Sequence, residues 1–430
     1  MKLYWKNQNL FTLLTKFLVI ILPFYVFIKV FFEHKLWIPK FGFLVKEFVL
    51  ILLIISLVYE YYKHKKLPKF EYIYYLIFAY FWYGIIITLI NGLWLSSIIY
   101  GWRYDFIFFL VFLIYKHGHQ FLKVRTKKLL SIFMYSASAS LLFSILIKFR
   151  MWEEALLVFG FTDYVSNWTY QGGIPIYHGL ENSGIRRFSG IFDSPNNMAF
   201  FLVLYTSLFL YLQKKKSEFY VYFFLSFLFI LLILTYSRSA LLGTLTATWI
   251  LFIYNIKFLY KHYRKPFIIW ITALILITWI FSFIFQDKVK NIVLRTSSTK
   301  GHFDRMAIWI DRFIEKPMWS WLWEAGPAYR STHPELKNKK NTKEIEEYYI
   351  PESWFIQQLV EWGFIYFFLF ISILWIILKR LFKVSHIIFW LLTAILVMNV
   401  FLHVFEATYL SILLFIFIGL FYSQQKRKLY

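Results

Sequence analysis

Three arginines and one glutamate stand in segments of this chain where they could grip a phosphorylated ligand. Arg238 interrupts the apolar run LLILTYSRSALLG, and Arg187 lies in IRRFSGIFDSPNN. Arg305 lies in HFDRMAIWIDRF, and Glu352 lies in IPESWFIQQLVEWG. Guanidinium groups form forked hydrogen bonds to phosphate and stay protonated in proteins. Several of them around one cavity would suit a pyrophosphate, and a carboxylate at the lip of that cavity could act as a general base.

Each of these residues also has a purely structural interpretation. Arg238 could extend toward lipid headgroups at the membrane interface. Arg103 could pair with Asp105, and for these two residues we favour the structural pair because buried charges are usually paired. Glu352 could stabilise the positive end of a helix that begins beside it. The grouping of several arginines on one predicted face of the membrane favours the binding interpretation for Arg238.

Two short segments could add to such a site. Asp193, Ser194 and Pro195 form a helix start, whose main role is capping, although the amino end of a helix also attracts anions. Two polar residues, His403 and Glu406, lie between the last two apolar runs. They either make secondary contacts to the ligand or belong to a turn whose hydrogen bonds are satisfied within the protein.

An amphipathic helix is predicted within the second long hydrophilic stretch. Over residues 303–316, apolar side chains recur at helical spacing, charged side chains fill the other face, and Pro317 ends the pattern. Trp319, Trp321 and Trp323 follow, and we favour an interfacial tryptophan belt over flat faces for sugar rings.

The composition shows what must position these residues. The chain has 430 residues, of which 60% are hydrophobic and 24% aromatic, and its mean hydropathy is +0.58. Apolar runs of about 17–25 residues, the length that crosses a bilayer, recur along it. The net charge of +24 comes from Lys and Arg clusters in short loops, which is typical of the cytoplasmic side of a membrane protein and not of a nucleic-acid partner. The chain has no cysteine, and no cluster with metal-ligand spacing, so no cofactor or metal is predicted.

The predicted fold is an all-α, single polytopic membrane domain over residues 1–430 with about twelve transmembrane helices. Every even-numbered span exits into a basic loop, so both termini are predicted to be cytoplasmic. Two long outer connections follow, residues 150–194 and residues 286–352. The predicted spans are residues 17–32, 42–61, 71–90, 96–115, 129–148, 195–212, 219–236, 239–256, 266–285, 354–378, 385–402 and 407–423.

Three motifs in this order resemble the O-antigen ligase and Wzy-type polysaccharide polymerase family. The first motif has an arginine, a glycine and a Pro-Asn pair before a span, in RFSGIFDSPNNMAFFL. The second is a Ser-Arg-Ser motif, in LTYSRSALLG. A long outer loop carries Arg-x-x-x-Trp, here Arg305 to Trp309, and closes with ESWFIQQLVEWG. The similarity covers about residues 185–375. Family ligases have a His-Asn or His-Ser pair before the tenth span, whereas Glu352-Ser353 is similar to the Glu-Ser variant among capsular and exopolysaccharide polymerases.

The resemblance implies a GT-C-like membrane glycosyltransferase that polymerises oligosaccharide repeat units of a bacterial surface polysaccharide. Donor and acceptor would be glycans on undecaprenyl pyrophosphate at the outer leaflet of the cytoplasmic membrane, and the reaction would invert the anomeric centre without a metal. Arg187, Arg238 and Arg305 would hold the pyrophosphate and stabilise the leaving group, with Glu352 as general base. The further substrate contacts would be Arg186, Arg103, Asn196, Ser237, Ser353, Trp309, His403 and Glu406.

Other functions stay open at the level of the sequence. A ligase that transfers a finished glycan to another acceptor uses the same chemistry. A lipid-linked sugar flippase should carry charges through the depth of several spans, and a scaffolding protein gives no reason for clustered outer arginines. A chain-length regulator, a flippase and membrane lipid are the expected partners of the polymerase, and nucleic acid is not one.

Single-cysteine labelling tests the predicted orientation directly, because the chain has no cysteine of its own. In spheroplasts, a membrane-impermeant maleimide should label Asp311→Cys in the second outer connection and leave Lys127→Cys unlabelled until the membrane is broken. Labelling in the reverse order would overturn the assignment of the two faces.

Overall fold

The computed structural model describes most of the chain as helix. It describes residues 8–38, 41–90, 102–149, 151, 153–162, 174–179, 186–213, 218–250 and 353–424, with 304, 306–308, 310, 311, 313–315, 317 and 322. Within these residues, five helices are long and apolar enough to cross a membrane, and three shorter helices are also apolar. The protein is therefore an all-α, membrane-embedded chain, as predicted. The total of about twelve spans and the GT-C-like arrangement stay predictions.

The helices, the π-helical and 3₁₀ segments and one two-stranded ribbon follow in chain order. They are α1 (Leu10–Ile21), a 3₁₀ turn (Leu22–Phe24), α2 (Tyr25–Val30), a π turn (Phe31–Lys35), α3 (Phe41–Lys63), α4 (Tyr72–Ile90), a π turn (Trp102–Phe106), α5 (Ile107–Gly118), a 3₁₀ turn (His119–Phe121), α6 (Thr126–Lys148), α7 (Glu153–Val158), β1 (His178–Gly179), β2 (Arg186–Arg187), α8 (Pro195–Leu212), α9 (Glu218–Leu234), α10 (238–250), α11 (Trp354–Val384), α12 (His386–Phe401), a 3₁₀ turn (Val404–Glu406) and α13 (Thr408–Tyr422).

Two of the predicted spans illustrate where the sequence fixes a helix end and where it does not. The predicted span 195–212 matches α8 at both ends, because Ser194 and Pro195 are strong start signals. The first span was predicted to begin at residue 17, but α1 begins at Leu10. Lys16 interrupts the apolar run, and its Nζ donates at 2.7 Å to Oε1 of Gln8, which lies just before the helix.

The chain divides into two compact units. The first comprises residues 1–237, 368–391 and 404–430, and the second comprises residues 238–367 and 392–403. In the first unit every residue of α13 is buried, which explains why this helix is apolar on all sides. Gly419 lets α13 approach α5, since a Cβ there would lie 2.8 Å from the carbonyl oxygen of Phe112.

In the second unit, the backbones of α10 and α12 are also close. A Cβ added at Gly243 would lie 2.5 Å from the carbonyl oxygen of Ala394. The predicted amphipathic helix is confirmed at its described positions from 304 to 314, all of which are helical. Phe313 from this helix packs with Ile356 against Val360 of α11. The loop helix therefore rests on the first turns of α11.

Helix α11 differs from the predicted span 354–378 in two respects. It extends to Val384, and Gly363 breaks it with φ 79° and ψ 177°. A segment of nine residues, 354–362, thus precedes a longer apolar helix, and only glycine adopts this backbone conformation at low cost. The short segment carries three buried polar residues, Gln357, Gln358 and Glu361.

The segment after β2 is held against α6 by a glycine contact. Gly190 has φ +58°, and a Cβ there would lie 2.2 Å from the Cβ of Ser144. The N–H of Ile191 donates to Ser144 Oγ at 3.3 Å. This contact explains the glycine in the RFSG motif, and it holds the segment that follows the two arginines against α6.

Replacing Gly190 with alanine should destabilise the first unit by about 1–2 kcal/mol or more, because a left-handed backbone and a steric overlap add together. The measurement is the unfolding temperature of the purified full-length protein in detergent. Gly179→Ala, at an exposed position with no left-handed backbone, is the matched control. An unfolding temperature for Gly190→Ala equal to that of the control would contradict this account.

Candidate functional site

Arg187 connects two of the sequence motifs in space. Its Nε donates to the carbonyl oxygen of Thr235 at 3.0 Å, and its Nη2 donates to the carbonyl oxygen of Tyr236 at 3.4 Å. The same Nη2 donates to Asn196 Oδ1 at 3.2 Å. One guanidinium therefore ties the start of α8 to the turn that follows α9. Arg187 and Asn196 were predicted to belong to one site, and the structure brings them together.

The amino end of α8 is a dense polar corner. Ser194 caps the helix, its Oγ accepting from the N–H of Asn197 at 3.1 Å, as the sequence predicted. Asp193 Oδ1 accepts from Asn197 Nδ2 at 2.6 Å and from the hydroxyl of Tyr409 at 3.0 Å. Tyr409 is buried and stacks on Tyr25 with ring centroids 5.1 Å apart. The corner is thus built on rigid, buried groups of α2, α8 and α13.

The Ser-Arg-Ser motif forms the tight turn between α9 and α10. Tyr236 has φ 52°, and the N–H of Ser237 donates to Thr235 Oγ1 at 3.2 Å. Ser237 and Ser239 are buried, and Arg238 is the first residue of α10. Its guanidinium is partly buried, and the loss of solvation lowers its pKa. A cation at the positive end of a helix dipole is unfavourable by itself and becomes favourable beside a bound anion.

Arg186 occupies different surroundings from Arg187. The ribbon pairs Gly179 with Arg186 and His178 with Arg187. The Arg186 guanidinium lies over the Tyr177 ring, 3.8 Å from its centroid, and its carbonyl oxygen accepts from Lys148 Nζ. Lys148 and Tyr177 were not predicted from the sequence, because a lysine at the end of a span and a tyrosine in a loop have no local signature.

His178 is a second residue that the sequence analysis missed. Its Nε2 lies 3.0 Å from the carbonyl oxygen of Asp193, and because a carbonyl can only accept, Nε2 carries the proton. Burial lowers the pKa of His178, and the Arg187 charge lowers it further, while the hydrogen bond to Asp193 opposes both. The imidazole therefore stays neutral and braces the loop that carries Asp193.

The other predicted contacts are placed as follows. Ser353 is buried and precedes α11, where its Oγ accepts from the N–H of Ile356 at 3.4 Å. His403 and Glu406 are partly buried in the connection between α12 and α13, His403 in the second unit and Glu406 in the first. Arg103 belongs to the π turn 102–106, and its side chain lies outside the described residues. Arg305, Trp309 and Glu352 also lie outside them.

A buried carboxylate on α11 was not selected from the sequence. Glu361 is 2% exposed, and its Oε1 accepts from Gln357 Nε2 at 3.0 Å. Gln358 is buried beside them. An i, i+4 pair of polar residues within an apolar span is a signal that the sequence does carry, and ionisable residues inside membrane helices usually mark a functional site.

The described side chains can bind anions rather than a metal ion. Within the described residues, no group of three His, Asp or Glu side chains could hold a metal. The guanidinium groups and the polar helix start offer N–H donors, whose natural ligands are phosphate and carboxylate oxygens.

Comparisons with known proteins give no match: no family model, no curated protein and no solved structure matches this chain.

The stability of the first unit should fall as the pH falls below about 6.5, the ordinary pKa of histidine. Above that pH His178 is neutral in both states, whereas below it the unfolded chain takes up a proton that the folded site resists. The unfolding temperature of the native protein should drop more between pH 7 and pH 5 than that of His178→Gln, which keeps an N–H donor.

Because other groups also titrate in this range, His34→Gln at an exposed histidine serves as the control and should follow the native curve. Parallel curves for the native protein and His178→Gln would show that His178 does not carry this dependence.

Proposed function

We propose that this protein is a membrane glycosyltransferase that polymerises glycan repeat units linked to undecaprenyl pyrophosphate at the outer leaflet of the bacterial cytoplasmic membrane. The product would be a surface polysaccharide such as a capsule, an exopolysaccharide or an O-antigen. The reaction transfers a growing sugar chain from its pyrophosphate carrier to a hydroxyl of a second lipid-linked unit, with inversion at the anomeric carbon.

One observation carries the proposal. The Arg187 guanidinium joins the Arg-Gly-Pro-Asn segment before α8 to the turn of the Ser-Arg-Ser segment, residues about fifty positions apart in the chain. These are two of the three segments on which the family resemblance rests. A pyrophosphate site shared by these two segments requires them to lie close together in space, although they are distant in the sequence.

The roles follow from charge and position. Arg238, at the positive end of α10, would meet the diphosphate and stabilise the negative charge that develops on the leaving group. Arg187, whose hydrogen bonds hold backbone carbonyls, would fix this geometry and add its charge. Arg305 would contribute the third guanidinium from the outer loop.

Two carboxylates compete for the role of general base. Glu352 precedes Ser353, the cap of α11, and is the residue that the resemblance implies. Glu361 lies two turns farther along the same helix, buried and hydrogen bonded to Gln357. We assign the base to Glu352, and Glu361 to positioning the amino end of α11.

The positions of the buried charges favour an enzyme over a transporter. Among the described residues, the buried charged side chains are Lys46, Glu60, Asp105, Lys116 and Glu361, and each lies within about seven residues of an end of its helical segment. Glu60 pairs with His64 at 3.4 Å, and Lys116 pairs with Glu71 at 3.0 Å. Such paired charges near the membrane surfaces are typical of structural anchoring, not of an ion pathway through the bilayer.

The decisive experiment incubates purified protein with lipid-linked repeat units and separates the products by length. A ladder indicates a polymerase, a single transfer indicates a ligase, and no transfer indicates a transporter. Arg238→Ala and Glu352→Gln should each lower the rate by about 10²–10³-fold. Arg125→Ala, at an exposed position before α6, is the matched control and should leave the ladder unchanged.

Glu361→Gln separates the two carboxylates. It keeps the side-chain shape and the hydrogen-bonding capacity, so a positioning role should survive with only a modest loss of rate. Full loss in Glu361→Gln with normal activity in Glu352→Gln would transfer the base to Glu361. Normal ladders from both Arg238→Ala and Glu352→Gln would refute the site assignment.

A further inference from the structure

The starts of two long apolar helices are joined at Phe121, in the 3₁₀ turn that leads toward α6. The carbonyl oxygen of Phe121 accepts at 3.0 Å from Nδ2 of Asn9, which lies just before α1. The N–H of Lys123 donates to Thr12 Oγ1, in the first turn of α1, at 3.1 Å. Both α6 and the helical segment that begins with α1 are long and apolar enough to cross a membrane. Their joined starts therefore mark the level of one membrane surface.

The connection between α3 and α4 packs against the same phenylalanine. The His64 ring is stacked on the Phe121 ring with centroids 5.6 Å apart, and Lys66 Nζ lies 5.9 Å from the Phe121 centroid. The Tyr61 ring meets Phe121 edge-on with centroids 4.9 Å apart. Helix α4, which follows this connection, is a third helix of membrane-crossing length. Two connections that are distant in the sequence thus lie side by side at one membrane surface.

These two connections form a basic surface, which comprises residues 63–69 and 123–127. Neither stretch contains an acidic residue. The two acids that flank the first stretch have partners, since Glu60 pairs with His64 at 3.4 Å and Glu71 pairs with Lys116 at 3.0 Å. The exposed cations of the basic surface are Lys63, Lys65, Lys66, Lys69, Lys123, Arg125 and Lys127. They present positive charge at the level where phospholipid headgroups lie.

Lys65 occupies a position where the backbone favours glycine. It has φ 48° and lies two residues after the last residue of α3. The N–H groups of Lys65 and Lys66 donate to the carbonyl oxygens of Tyr62 and Tyr61, each at 3.1 Å, and close the end of the helix. A Cβ is sterically unfavourable in this left-handed conformation. The stability of the turn alone would favour glycine, so the property that a lysine adds here is its charge.

Apolar side chains are interspersed with these cations. Leu67 is 89% exposed and Tyr62 is 83% exposed, and Phe70 is also exposed. A free phosphate ion or a strongly acidic protein segment would leave these groups in water. A phospholipid surface accommodates both kinds of side chain, because lysine and arginine reach the phosphates while apolar groups enter the boundary of the acyl chains. The combination therefore favours lipid as the occupant.

We propose that the basic surface binds anionic phospholipids at their phosphate groups. Lys63, Lys65 and Lys66 supply point charges from one connection, and Arg125 supplies a forked donor from the other. Leu67 anchors the surface among the acyl chains. The inference does not depend on the proposed transferase activity, since it concerns residues outside the candidate functional site.

Native mass spectrometry of the full-length protein in detergent measures this binding directly. The protein is titrated with an equimolar mixture of phosphatidylglycerol and phosphatidylcholine that have the same acyl chains, and it should retain phosphatidylglycerol preferentially. Lys65→Gln combined with Lys123→Gln should lower this preference by about tenfold. The matched control, Lys379→Gln combined with Lys383→Gln, removes two exposed lysines near the carboxyl end of α11 and should preserve the preference.

Two further variants separate lipid binding from folding. Lys65→Gly removes the charge at a position whose backbone favours glycine, so the unfolding temperature should not fall while the retention of phosphatidylglycerol weakens by about fivefold. Leu67→Gln keeps every charge and should also weaken retention, because the apolar anchor is lost. Unchanged retention in both variants would contradict the proposal.

Three other results would overturn it. Equal retention of the two lipids would show no preference for the anionic headgroup. An equal loss in the control and in Lys65→Gln with Lys123→Gln would show a general effect of charge and not a property of this surface. Displacement of phosphatidylglycerol by inorganic phosphate or by polyglutamate, as effective as displacement by a soluble short-chain phosphatidylglycerol, would assign the surface to a free anion or to an acidic protein.

Discussion

The hydrogen bonds of the Arg187 guanidinium are the interaction on which the geometry at the start of α8 depends. The guanidinium donates to two carbonyl groups of the turn that follows α9, those of Thr235 and Tyr236. It also reaches Asn196 in the first turn of α8. A charged donor can satisfy three acceptors from two segments at once, whereas a neutral side chain could not. The geometry of both motifs is consequently fixed by one side chain.

The surroundings make this arrangement possible in an apolar chain. Gly190 sets the segment after β2 directly on Ser144 of α6, and Asp193 is anchored by Tyr409 from the fully buried α13. His178 holds the Asp193 carbonyl oxygen from the ribbon side. Charge and polarity are therefore concentrated where buried aromatic groups hold the backbone rigid. This is the condition for a preorganised anion site, because rigid donors need no reorganisation when a charge arrives.

The sequence predicted the parts of this fold that have local causes. The membrane class, the bounds of α8 and the Ser194 cap follow from apolar length and capping chemistry. Arg187 and Asn196 were both expected from the resemblance to contact the substrate, and in the structure they are hydrogen bonded to each other. The early start of α1 was missed because Lys16 finds its partner only in the folded chain. Lys148, Tyr177 and His178 were missed for the same reason, since their roles depend on contacts across distant segments.

The break at Gly363 has a consequence for hydration. A helix that stops within the bilayer leaves the carbonyl groups of its last turn without helical partners, and such backbone is tolerated only beside protein or water. Those carbonyl groups belong to the same turn as Glu361. This part of α11 therefore requires protein groups or water beside it, because lipid tails offer its carbonyl groups no hydrogen bonds.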